Sequence, residues 1–374
     1  MTRPPGRADV MFHPLVWIAL LFVALPFVAG VNPFVGQWSG FVGIATTMVI
    51  FALFASGFNL LFGHVGELSF GHAMFFSIGA YITALYTLHV GGPLGGNLIV
   101  ALVLALVTAL LWAWLLARII VPRSSGIYFS MITLAFAQVI FFISYRWSEL
   151  TGGEDGLQNI ARPTLFGADL LRDSTHFYWF AAAIVFLALC GLYWIIASPF
   201  GSVLHAIREN KQRARFLGYD VDKYRVNAFV LSAIFPAIAG WLWTYYQQAI
   251  NPDAGSVGYS GNVVMMSVLG GYQTILGPIL GASVYYELQN NVSQLTKYWE
   301  AWVGIVFALF VLLGPRGIMG LVDDIRHYGI ATALERIFSR RARVVTDMQE
   351  ELPPVDEETA HSAPPARAAG EPAP

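Results

Sequence analysis

Between Asp9 and Arg118 the chain carries a single residue of the Asp, Glu, Lys or Arg type, Glu67. No water-facing domain can be built from such a stretch. Soluble domains keep about a quarter of their residues charged, whereas here 12% are charged and 56% are hydrophobic. A bilayer core is crossed by about 20 apolar residues in a helix. Backbone groups in lipid must find partners within their own segment, so the apolar runs read as helices. The fold class expected is an all-α polytopic membrane protein with about eight to ten transmembrane helices, by the roughly 20-residue criterion.

The polar segment 1–13, with Arg3 and Arg7, precedes an apolar run at 15–31. That run is long enough to span and lacks a small-x-small cleavage site, so it reads as a first span and not as a signal peptide. Further runs lie at 41–62, 66–90 and 97–117, then meet Arg118 and Arg123 in a short basic loop. Basic loops are retained on the cytoplasmic side. A span at 126–145 leads to the polar loop 146–176, where Glu149, Glu154, Asp155, Asp169 and Asp173 outnumber Arg146, Arg162 and Arg172. That loop is expected on the periplasmic side. Spans at 177–197, 226–248 and 300–313 complete the plain runs of a transmembrane body at 14–327.

Residues 256–290 are rich in glycine and admit two readings. One span would leave the Arg-rich C-terminus outside. A broken or re-entrant hairpin of two short helices, interrupted near Gly270–Gly271 and Gly277–Pro278, puts both termini in the cytoplasm. Such breaks survive at membrane depth where the freed backbone faces protein or a water-filled cavity. The hairpin is therefore expected beside a pathway. Residues 63–81 and 258–282 echo one another in glycine, serine and aromatic content.

The charged segment Ser198–Arg225 interrupts the apolar pattern with Arg208, Lys211, Arg213, Arg215, Lys223 and Arg225. Leu204, Ile207, Arg208, Lys211 and Arg215 have the spacing of a short amphipathic helix, closed by Gly218. We read 198–225 as a cytoplasmic docking element for a soluble partner; the plain alternative is a solvated loop that only sets topology. Residues 328–343 have the pattern of an interfacial helix, with Ile330, Leu334, Ile337 and Phe338 on one face. Arg336, Arg340, Arg341 and Arg343 supply the side for membrane lipid headgroups. The tail 344–374, rich in Pro, Ala and Glu, reads as disordered.

Catalytic patterns fail one by one. No G-x-x-x-x-G-K-[ST] precedes Lys211, Lys223 or Lys297, so any ATP must be bound by a partner. The spacing of His64, Glu67 and His72 does not bring all three to one helical face, and no metal or cofactor is expected. Gly258-Tyr259-Ser260-Gly261 lacks a histidine base on a later span. Asn32-Pro33 and Asn251-Pro252 are followed by Phe34 and Asp253, unlike the boxes of water channels. The lone Cys190 excludes a disulfide within the chain. Ion-coupled transporters carry ionisable relay groups in their spans, and here Glu67 and Glu287 are the acids near one. A neutral path with a large docking loop fits a permease driven by a bound nucleotide-hydrolysing partner.

Four ordered motifs resemble the LivM-type permeases of branched-chain amino acid ABC importers. They are GELSFGHAMFFSIGAY at 66–81, TGGEDGL at 151–157, AIREN at 206–210 with Gly218, Tyr219, Tyr224 and Arg225, and Gly270–Gly271 followed by GPILGA at 277–282. The resemblance runs over about 40–320. It implies an importer with a periplasmic solute-binding protein, a second related permease and two cytoplasmic ATPases, in the inner membrane and without a nucleic-acid partner. On that basis Ala206, Ile207, Arg208, Glu209, Asn210 and Gly218 are the candidates for ATPase coupling. Glu67, Ser69, Phe70, Gly71, His72, Gly270, Gly271, Gly277 and Pro278 are the candidates for the translocation path. Thr151, Gly152, Gly153, Asp155 and Gly156 form the outer-loop docking candidate. Glu67 stands where the family often has Gln, and Phe70 where Leu is common. Such variants occur in importers of urea, short amides and aromatic acids, which leaves the solute open beside branched-chain amino acids. A facilitator or channel working without an ATPase is the alternative of a different class.

Overall fold

A computed structural model describes residues 14–28, 41–90, 96–163, 170–313 and 317–328. The segment 1–13, the tail 344–374 and all of the expected interfacial helix beyond Tyr328 lie outside the described residues. The chain forms a compact unit through Val322 and a second unit, Asp323–Pro374. Of the second unit, the described part is the helical stretch that ends at Tyr328.

The helices are α1 (Pro14–Val28), α2 (Phe41–Asn59), α3 (His72–His89), α4 (Leu98–Ile120), α5 (Ile127–Arg146) and α6 (Ser174–Ala197). They continue as α7 (Pro199–Glu209), α8 (Lys211–Phe216), α9 (Val221–Gln247), α10 (Val257–Gly270), α11 (Leu276–Leu295), α12 (Trp299–Leu313) and α13 (Gly317–Tyr328). Among the described residues the only β pairing is an isolated bridge between Leu157 and Ile250. Among the described residues five helical stretches are long and apolar enough to cross a membrane: Val42–Val65, Leu98–Arg123, Ile127–Arg146, Ser174–Ala197 and Val221–Gln247. The chain is thus an all-α polytopic membrane protein.

The central element is α9, which packs against α2, α3 and α4. Its neighbours approach closely because small residues sit at the crossings. A Cβ at Gly240 would overlap the Phe76 carbonyl of α3, and one at Gly79 would overlap the backbone of Ala237. Gly57 of α2 lies against Phe235 and Pro236. On α4 a ridge of Ala101, Ala105, Ala109, Ala113 and Ala117, four residues apart, is wholly buried. Residues at i and i+4 share one helix face, so the opposite face presents Val103, Val107, Leu111 and Trp114 to lipid. By contrast α2 is 89% buried over its apolar window, against 22% for α4. Composition alone does not separate these two helices, since both are apolar all round.

The hairpin expected over 256–290 is present as α10 packed on α11. Its break is Gly271–Ile275, with φ of +110° at Gly271. Gly277 and Pro278 lie just inside α11, where a proline costs no helical hydrogen bond. A Cβ at Gly270, Gly277 or Gly281 would collide with the backbone of the facing segment. The break rests on the end of α2, where Asn59 Nδ2 donates to the Thr274 carbonyl at 3.2 Å.

Replacing Gly240 by Val should force α9 away from α3 and cost about 1–3 kcal/mol. A lowered thermal unfolding midpoint in detergent would show it, and an unchanged midpoint would mean the crossing is not tight.

Candidate functional site

The run expected as one span at 66–90 becomes helical only at His72. α2 continues through a π-helical turn, Leu60–Val65, and stops at Gly66, whose φ of +80° is a left-handed value. Glycine takes that conformation without strain. The amides of Gly66 and Glu67 both donate to the Leu61 carbonyl, at 3.1 and 3.3 Å. The chain then runs without helix to His72, steadied by the Gly71 amide donating to Ser69 Oγ at 3.2 Å. This path points the Glu67 side chain inward, where it is 1% exposed.

There it meets cations from the charged segment. Arg225 Nε donates to Glu67 Oε1 at 2.6 Å, and Lys211 Nζ donates to the same oxygen at 2.9 Å. Arg225 lies in the second turn of α9 and is 4% exposed. Its remaining donors reach the Val121 carbonyl at 2.9 Å, the Ser124 carbonyl at 2.7 Å and Asp222 Oδ1 at 3.1 Å. Asp222 also accepts from Arg215 at 3.1 Å. Buried ions lose hydration worth several kcal/mol each, offset only when geometry and hydrogen bonds are nearly complete. Arg225 meets that condition. The result is one junction tying the turn before α3, the α4–α5 connection, α8 and the start of α9.

α7 adds a second tie. Arg208 donates to the Gly63 carbonyl, and its guanidinium lies 5.3 Å from the Tyr272 ring centroid in the hairpin break. Gly66 is needed here as well, because a Cβ there would fall 2.9 Å from Arg208 Cγ. The single helix expected through Leu204–Arg215 is two helices. Asn210 leaves the helical region at φ −158° and its Oδ1 accepts from the Arg213 amide at 2.9 Å, so it caps α8. Gly218 closes α8 as expected: at φ +91° it donates to Arg215, while the Tyr219 amide donates to Ala214. Ile207 is buried with Val203, Ala214 and Val221, whereas Ala206 is half-buried and Glu209 is exposed beside His205. Phe216 and Leu217, which sequence reasoning did not single out, are 90% and 69% exposed.

The junction also reaches α5. Ser130 Oγ donates to the Leu68 carbonyl at 2.6 Å, and a Cβ on Gly71 would sit 2.6 Å from the Thr133 carbonyl. On its outer side α5 carries an open groove of about 600 Å³ lined by Gln138, Phe142, Arg146 and Trp147 among others. His72 faces inward, with Nε2 3.0 Å from Ser232 Oγ and its ring edge-on to Phe58, Phe75 and Phe229. Phe70 is half-buried.

A model of the family described as "Branched-chain amino acid transport system / permease component" matches residues 40–314. The chain belongs to this family. It is 27% identical over 333 residues to the high-affinity branched-chain amino acid transport system permease protein LivM of Escherichia coli K12, covering 82% of this chain and 74% of that one. It is 28% identical over 289 residues to the LivH permease protein of the same organism, covering 72% and 91%. The fructose import permease protein FrcC of Rhizobium meliloti is 22% identical over 282 residues, covering 73% and 72%. No solved structure matches.

At the far end of α9 the permease's Thr151 motif builds a second fixed point. Thr151 Oγ1 donates to the Ser144 carbonyl at 2.6 Å, and Gly152, Gly153 and Gly156 all take positive φ. Leu157 and Ile250 exchange two hydrogen bonds of 2.8 Å, and a Cβ at Gly156 would collide with Ile250. Asp155 is exposed beside them. Arg162 donates to the Tyr245 and Tyr246 carbonyls at 3.0 and 3.1 Å and lies 4.9 Å from the Phe177 ring. Burial lowers the pKa of this guanidinium from its ordinary value.

Glu67→Ala should leave Arg225 buried without its anion and destabilise the permease by about 3 kcal/mol or more. Glu67→Gln, which retains an acceptor, should lose less. Thermal unfolding in detergent checks both; equal, small losses would mean that the charge at Glu67 is not what stabilises the junction.

Proposed function

We propose that this permease is the membrane subunit of an ABC importer, moved by cytoplasmic ATPases that seat on α7 and α8. The observation that carries the reading is the junction of Glu67 with Lys211 and Arg225. It links the charged segment to the turn that supports α5. A push on α8 is therefore delivered to the Glu67–Gly71 turn and on to α5, while Arg208 delivers the same push to the hairpin break. Packed elements with two arrangements pass on such displacements better than a mobile loop does.

In this reading ATP is bound by two partner subunits, and this chain has no ATPase site of its own. Phe216 and Leu217 are the apolar knob that enters the ATPase, with Arg208, Glu209 and Asn210 shaping the helix pair behind it. The end of the bundle bearing α7 and α8 faces the cytoplasm, as do both termini, in an inner membrane. The Thr151–Gly156 loop faces the periplasm, where a solute-binding protein docks. A second related permease completes the path, with the α5 groove on the facing side. Ser69, Phe70, Gly71 and His72 then act from behind α5 on the path, and Gly270, Gly271, Gly277 and Pro278 hold the hairpin that moves with them. The solute is a branched-chain amino acid or a small polar molecule of similar size. The names of the relatives, which span amino acids and fructose, match a scaffold that leaves much of the selection to other groups.

Replacing Arg208 and Glu209 together by Ala should abolish transport-coupled ATP hydrolysis while membrane insertion stays intact. Normal uptake by that variant would defeat the coupling assignment. Phe216→Ala should weaken recovery of the ATPase with the tagged permease by about tenfold or more, as expected for a desolvated aromatic anchor. Recovery of the permease with no ATPase from native membranes would point instead to a facilitator.

A further inference from the structure

Beside the junction, at the same end of the bundle, lies a polar cavity of about 310 Å³ lined by Arg123, Ser124, Ser125, Tyr128, Lys211, Arg215, Asp222 and Arg225, with Pro122 at its edge. Its charges do not balance. Lys211 and Arg225 share Glu67, while Arg215 and Arg225 share Asp222. Among the described residues the Arg123 guanidinium meets the Ile119 and Arg118 carbonyls, at 3.2 and 3.5 Å, and no carboxylate. Four cations thus stand against two carboxylates. No side chain caps the first turn of α5, whose Tyr128 also lines the cavity. A free helix N-terminus adds a further positive potential.

The surroundings say where an anion would come from. Immediately along α4 and α5, Ile119, Ile127 and Met131 are 47%, 76% and 63% exposed. Tyr128 is 76% exposed and Trp114 50%, and the Arg118 guanidinium lies 5.2 Å from the Trp114 ring centroid. Exposed Trp and Tyr mark the headgroup level of a membrane-spanning helix. A cationic cavity at that level, with lipid-facing apolar side chains directly beside it, offers one place for a phosphate and another for acyl chains. Basic side chains at that level attract an anionic headgroup by their charge.

We propose that this cavity binds the phosphate of an anionic phospholipid from the bilayer. The lipid would neutralise the excess charge of Arg123 and Arg215 and so bridge the α4–α5 connection to α8. The docking segment is then held to the membrane surface as well as to the permease interior.

The test is native mass spectrometry of the full-length permease with its copurified partners, given phosphatidylglycerol and phosphatidylcholine of the same acyl chains. The wild type should retain phosphatidylglycerol in preference. The double variant Arg123→Gln, Arg215→Gln should bind it about thirtyfold more weakly, at about fivefold per charge near a membrane surface. The double variant Arg123→Lys, Arg215→Lys, with monodisperse elution as the check on folding, should keep most of it. Equal retention by the Gln variant would overturn the proposal, as would equal loss in the Lys variant. Displacement of the lipid by millimolar inorganic phosphate would overturn the lipid source and assign the cavity to a free anion. Lipid bound only after the partner subunits are stripped away would mark the cavity as part of a protein interface and overturn the proposal as well.

Discussion

One carboxylate in a long uncharged stretch organises one end of this permease. Glu67 is buried, and both cations bonded to it, Lys211 and Arg225, come from the segment after α7. Removing an ion from water is costly unless its hydrogen bonds are replaced almost one for one. The four groups that surround Arg225 can do so only in one arrangement of the turn, the α4–α5 connection and α9. The pair therefore specifies geometry more than it adds stability. It holds α8 and the start of α9 in a defined register against the transmembrane body, which a solvated loop would not.

Much of the architecture was legible because bilayer physics is restrictive. Run lengths located α1, α2, α4, α5, α6, α9 and α12, and the charge pattern required an extra reversal that the α10–α11 hairpin supplies. Hydropathy did not show that the helix of the 66–90 run starts only at His72, since that run carries no charge other than Glu67 and reads as one span from Gly66. What decides it is the left-handed turn at Gly66, a backbone property that hydropathy does not report. The break at Asn210 was missed for a similar reason. A strong N-cap competes with helix continuation, and only the cap geometry shows that it wins.

The site was legible in part. Glu67 and Arg208 were singled out, but as members of two separate groups, a path and a docking helix. Arg225 carries most of the pairing and was read as the end of a motif. Its partners are 104 and 158 residues away in sequence, and no local pattern reports such separations. One signal was available: a lone charge in an apolar stretch must find an opposite charge, and the segment 208–225 holds the largest group of cations between the apolar runs. The outward turn of Phe216 and Leu217 had no such signal, because the same two residues would serve as well in a core.

α9 is seized by an arginine at each end, Arg225 near its start and Arg162 on the carbonyls of its last residues. At 27 residues and 1.5 Å of rise each, it is a rod of about 40 Å. A rod pinned at both faces of a bilayer cannot slide along its axis without breaking one of the pins, but it can tilt about either. A force on the Thr151 loop or on α8 therefore acts on the same mechanical variable, the inclination of one helix. Displacements at the two ends of the helix are thus tied to each other through its tilt alone.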